Sequence, residues 1–128
     1  MTYYHVEIKT TKSKDPYYEL DRTDLSEIKG RVIIPFLKKK QVSFSSHLLA
    51  ASDIASIVIK ESDKAAREYV DDFLEKNEVV LAPPSPHFLL NGSSDFIDIT
   101  DRVFEECRAE LMNPLKRVLH WIKQIFKK

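Results

Sequence analysis

Residues 3–10 read YYHVEIKT, and the fold turns on how those eight residues alternate. Tyr4, Val6 and Ile8 project to one side and Tyr3, His5, Glu7 and Lys9 to the other, which is the period of a half-buried β-strand. A polar connector with turn chemistry at Asp15-Pro16 follows, and YYELD after it predicts a second strand paired with the first as a hairpin. Further along, ASIVIK (55–60) is rich in β-branched residues and predicts a central strand, while QVSFS (41–45) alternates as a shorter one. Between them ASDI suits a tight turn or a single helical turn.

Helical signals lie between these strands. Thr23 and Asp24 are both N-cap candidates, Asp24 with Glu27 has capping-box spacing, and Leu25, Ile28, Val32 and Ile33 share one helical face. Gly30 weakens that helix and Pro35 is expected to end it. The clearest helix lies in SDKAAREYVDDFLEKN, with Ser62 as the expected cap and Ala66, Tyr69, Val70, Phe73 and Leu74 as its apolar stripe. LAPPSPHFLLNGSSD reads as a loop because of its prolines, FIDI as a last short strand, and Thr100 as the cap of a helix through DRVFEECRAELM. The expected class is α+β: an antiparallel sheet of about four to six short strands packed against two helices, followed by a C-terminal amphipathic helical segment. Residues 1–112 would form the domain and 113–128 a basic helix belonging to it.

Composition limits the rest. A chain of 128 residues, 43% hydrophobic and 31% charged, is of single-domain size and globular character. Its formal net charge is zero, so attraction to nucleic acid or anionic lipid must come from local clusters. Residues 61–78 hold seven acids against three bases, and residues 108–128 hold six bases against one acid. Both read first as solvated faces. The one cysteine, Cys107, allows no internal disulfide and reads as a small buried thiol. No stretch approaches the roughly 18 apolar residues of a membrane span, nor is there a signal-peptide core, so a cytoplasmic location is expected, with membrane association open.

The last segment, LKRVLHWIKQIFKK (115–128), carries the most distinctive pattern. Leu115, Val118, Leu119, Ile122, Ile125 and Phe126 form an apolar face with Trp121 at its boundary, opposite a basic patch of Lys116, Arg117, Lys123, Lys127 and Lys128. Such a helix packs on its own domain, joins a protein partner or second copy, or lies on anionic lipid. Nucleic acid is the least favoured partner, since no recognition module accompanies the bases. A second surface feature is the acidic edge Glu68, Asp72 and Glu75, at spacings that suit a cation or a basic partner, though a solvated face explains it as well. The run Lys38–Lys40 beside Lys12 and Lys14 has the makings of a small basic patch.

Catalytic signatures are absent from the sequence. With only Gly30 and Gly92 there is no phosphate-cradling glycine loop, and His5, His47, His87 and His120 fall on four expected elements with no ligand-pair spacing. No cofactor, metal site or catalytic residue is expected.

The order YYHV.I, then ELD.T…L…I..P (Glu19–Pro35), SDI..I.I (Ser52–Ile59) and DITDRVFEE (Asp98–Glu106) resembles an accessory module found in front of TIR-like nucleotide-binding effector domains in bacterial stress and anti-phage proteins. The resemblance covers roughly residues 3–62, with a looser echo near 98–106. It departs from that pattern at Ser45-Ser46, where a glycine is expected, and these 128 residues contain no TIR-like domain. What it implies is an interaction or regulatory module, not an enzyme, in a defence or stress setting.

Overall fold

Alternation in 3–10 becomes strand β1 (Tyr3–Thr10), which pairs antiparallel with β2 (Tyr17–Arg22) on one edge and with β5 (Ile54–Ser62) on the other. The computed structural model describes residues 1–76, 85–92 and 94–112. A two-residue strand, β6 (Ile97–Asp98), adds to β5, so the main sheet runs β2-β1-β5-β6 and is antiparallel throughout. The expected α+β class and the central place of 55–60 both hold. β3 (Gln41–Phe44) and β4 (His47–Ala50) form a separate two-stranded ribbon, and a 3-10 turn at Ala51–Asp53 links it to β5.

The helix between β2 and β3 does not stop at Pro35. It runs as α1 (Leu25–Ile28), a π turn (Lys29–Ile33) and α2 (Ile34–Leu37). Asp24 caps it, accepting from the N–H groups of Ser26 and Glu27. Pro35 is tolerated because it sits in the first turn after the π turn, where Ile34 N–H reaches back to Lys29 O. That wider turn offsets the carbonyl with which a proline ring would otherwise clash. The helix ends in a Schellman arrangement, with Lys39 N–H bonded to Phe36 O and Lys40 N–H to Pro35 O. Lys39 takes the left-handed position, φ 60°, that glycine commonly fills.

Val6, Ile8 and Ile59 on the sheet meet Ile28, Val32 and Ile33 on the helix, Val42 and Phe44 on the ribbon, and Val103 and Cys107 on α5 (Thr100–Met112). Each fully buried aliphatic side chain here contributes about 1.5–3 kcal/mol relative to exposure. Cys107 is the buried thiol expected of it, and burial pushes its pKa up. Thr100 does not cap α5. Its hydroxyl is engaged by β5, accepting from Ile59 N–H at 2.8 Å.

The other face of the sheet is covered too, so β1 is buried on both sides from His5 to Ile8 instead of half-buried. The cover comes from α3 (Ala66–Lys76) and α4 (Pro86–Gly92), whose Ala66, Leu89 and Leu90 pack with Phe96 against Tyr18, Leu20, Tyr69 and Val70. Helix α4 falls where the prolines argued for a loop. Pro86 occupies the first helical position, where a missing N–H costs nothing, and Ser85 Oγ accepts from Phe88 N–H at 3.2 Å.

The β3–β4 turn carries Ser45 at φ 48° and Ser46 at φ 63°. Two positive φ values in a two-residue hairpin define the turn type that selects asparagine and glycine. Ser46→Gly should therefore raise stability by about 0.5–1 kcal/mol, read as a higher urea midpoint with an unchanged slope.

Candidate functional site

Three polar clusters and one apolar groove are built on this frame. The first forms where β1 and β2 fall out of register between Tyr4 and Val6, leaving Leu20 and Asp21 opposite His5. His5 is fully buried and stands edge-on to Phe96, with ring centroids 5.1 Å apart. Asp21 N–H donates to His5 Nδ1 at 3.1 Å, which leaves the ring proton on Nε2, 2.7 Å from Ser62 Oγ. Ser62 in turn donates to Lys64 O at 2.7 Å. Burial lowers the pKa of His5, and the Asp21 carboxylate, 3.6 Å from Nδ1, opposes that shift only in part.

Asp21 itself sits at φ 58°, and its carboxylate caps α3, accepting from Ala66 N–H at 2.5 Å and from Arg67 N–H at 3.5 Å. The cap assigned to Ser62 by sequence is thus supplied from 45 residues away, and Ser62 is engaged with His5 instead. Asp21→Ala should cost about 2 kcal/mol, combining a lost helix cap with an alanine forced into the left-handed region. Amide exchange at Ala66 and Arg67 should accelerate selectively, whereas Asp21→Asn should retain most of the stability.

The second cluster centres on Glu7, whose side chain is 4% exposed. His87 on α4 donates from Nδ1 to Glu7 Oε2 at 3.0 Å. Burial, and then the Glu7 carboxylate, push the Tyr18 pKa up. Asn91 Nδ2 donates to His87 O at 2.9 Å, and the imidazole ring stays more than half exposed. A buried carboxylate that orients a surface imidazole can hold a proton in place, and here it also ties α4 to the sheet.

The third is a hub of alternating charge. Arg31 reaches Glu19 through two bonds of 2.7 and 2.5 Å, Glu27 through Nε at 2.5 Å, and Ser43 O at 2.7 Å. Glu19 also accepts from Ser45 N–H at 2.7 Å, and Arg22 bonds Glu27 at 2.9 Å. Burial raises the Glu19 pKa, but Arg31 and the Ser45 N–H outweigh it and hold the carboxyl below its ordinary range. A shallow cavity of about 360 Å³ opens over this hub between Arg22, Arg31 and Ser46. Every charge lining it is already paired.

The groove lies at the opposite end of the helix. It measures about 550 Å³ and is lined by Phe36, Leu37, Ala50 and Ala51, with Lys39, Lys40, Gln41 and Ser52 at its margin.

Of the residues singled out by sequence, Glu68 and Glu75 are exposed on α3, and Asp72 between them pairs with Lys64. The apolar face and basic patch of 115–128 lie outside the described residues. Among the described residues no group of three or more His, Cys, Asp or Glu side chains could hold a metal ion, and no helix is long and apolar enough to cross a membrane. Sequence reasoning missed both histidine clusters. Its only usable signal was the pair His5 and Glu7 on one strand face, which reads as a solvated face unless a covering layer is known to exist.

No family model, no curated protein and no solved structure matches this chain.

Proposed function

We propose that this chain is a non-enzymatic interaction module, an adaptor or regulator of a protein partner, in a bacterial stress or anti-phage setting. The observation that carries the reading is the direction of the protons around His5. A histidine that activates a serine must accept the hydroxyl proton, yet His5 donates to Ser62, and Ser62 donates onward to Lys64 O. The Asp21–His5–Ser62 constellation therefore acts as a structural joint between β1, β2 and the start of α3. The large apolar side chains of Leu48, Phe88 and Ile97 remain exposed on different elements, which suits a surface that meets other proteins.

The test is tagged expression of the full chain in its host under phage challenge, followed by reconstitution from purified components. A partner, or a second copy, that re-forms a complex of fixed stoichiometry by light scattering supports the reading. A monomer with a hydrolytic activity abolished by Ser62→Ala replaces it. The amphipathic pattern of 115–128 supports a second reading, a peripheral membrane protein, and co-flotation separates the two. Under that reading the full chain floats with anionic vesicles only, and a chain ending at Asn113 does not float.

A further inference from the structure

We propose that the groove at the end of α2 is a binding site for a small molecule with an apolar body and a single anionic head, such as an acyl or aryl carboxylate. The inference does not depend on the partner-binding reading and stands if that reading fails.

Size and lining come first. A cavity of about 550 Å³ falls within the range of small-molecule sites, roughly 300–1,000 Å³, and its wall is of the kind such sites have: Phe36 and Leu37 on one side, Ala50 and Ala51 on the other. The two sides belong to different elements, the last turn of α2 and the junction of β4 with the 3-10 turn. Apolar wall without a polar anchor would bind indiscriminately. Here the anchor is cationic.

Seven of the fifteen lysines and arginines among the described residues form ion pairs: Lys12, Arg22, Lys29, Arg31, Lys60, Lys64 and Arg102. Lys38, Lys39 and Lys40 form none among the described residues, and two of these three line the groove. The acid nearest in sequence to the groove wall, Asp53, is taken by Lys12 at 3.2 Å, so the lysines at the margin are not neutralised from that side.

Backbone geometry adds an independent observation. Lys39 stands at φ 60°, the position that closes the helix and that glycine would occupy without strain. A charged side chain is held there, at the mouth of an apolar cavity. An alkyl chain or aromatic ring would lie along Phe36, Leu37 and Ala51, and its carboxylate would meet Lys39 and Lys40.

The experiment is an amide-shift titration of the full chain with three probes that share a tail and differ in head: decanoate, decanol and decylammonium. Decanoate is expected to shift the amides of Leu37, Gln41, Ala51 and Ser52 saturably, with a dissociation constant of about 10–100 μM. Decanol should bind more weakly and decylammonium not at all. The double variant Lys39→Gly with Lys40→Gln keeps the helix terminus intact, since glycine suits that φ. It should weaken decanoate about five-fold and leave decanol unchanged.

Three outcomes overturn the proposal: no saturable shift with decanoate, decylammonium binding as tightly as decanoate, or an unchanged decanoate affinity in the double variant. A groove silent to decanoate but saturated by an acidic pentapeptide ending in phenylalaninamide belongs to a protein partner, and the proposal falls.

Discussion

Replacing Arg31 with methionine should lower the stability of this protein by about 3 kcal/mol. Methionine is close in length and keeps the apolar stem, so the loss isolates the guanidinium. Among the described residues that group is the only cation bonded to both oxygens of Glu19, a carboxylate just 12% exposed, and it also ties Glu27 and Ser43 O to the same point. Removing it leaves Glu19 with Ser45 N–H and a more distant Arg22, at 3.8 Å. Breaking one side of a largely buried pair costs about 3–5 kcal/mol, and the partial exposure of Arg31 puts the expected value at the low end. Chemical denaturation measures the loss. The double variant Arg31→Met with Glu19→Leu should recover most of it, because no charge is then left without a partner. If the double variant is no more stable than the single one, the hub is not the source of the effect.

The same hub sets an acid limit. The folded Glu19 pKa lies below its unfolded value, so its contribution is complete above the unfolded pKa of about 4.3 and is lost as pH falls through the folded value. In Arg31→Met that acid-dependent part of the stability should shrink.

The second large effect belongs to His5. His5→Leu should cost about 2–3 kcal/mol at pH 7.5, because Asp21 N–H loses its buried acceptor and Ser62 loses its donor. The cost should depend on pH. Burial depresses the folded pKa of His5, so the folded state holds a neutral ring while the unfolded chain takes up a proton below about pH 6.5. The contribution of His5 is therefore complete above that value and declines as pH falls toward the folded pKa. Stability measured at pH 7.5 and pH 5 should show wild type approaching His5→Leu at the lower value. A constant gap would mean that His5 is equally charged in both states, against the neutral, Nε2-protonated ring described above.

Much of the first layer was legible in the sequence, and the reason is locality. Alternation in 3–10, β-branching in 55–60 and the Asp24 cap depend on residues within about four positions of each other, which is the reach of strand pleat and helix turn. The glycine expected at Ser45-Ser46 came from the family resemblance and not from local pattern, and the turn there does take two positive φ values. Pro35 and Pro86 both misled toward too little helix, because a proline either breaks a helix or begins one according to the turn before it. For Pro35 that turn is a π turn.

The second layer was decided by tertiary structure alone. His5 and Glu7 are the polar members of an alternating strand, and nothing local distinguishes a solvated polar face from one covered by α3 and α4. Their partners lie at Ser62, 57 positions away, and at His87, 80 positions away. The cap of α3 comes from Asp21 through a bulge whose register is visible only once β1 and β2 are paired. The groove beside Lys39 exists only because β4 ends next to the last turn of α2. Periodicity carries which face of an element is apolar; it does not carry which other element comes to rest on the opposite face, because that is set by contacts between residues far apart in the chain.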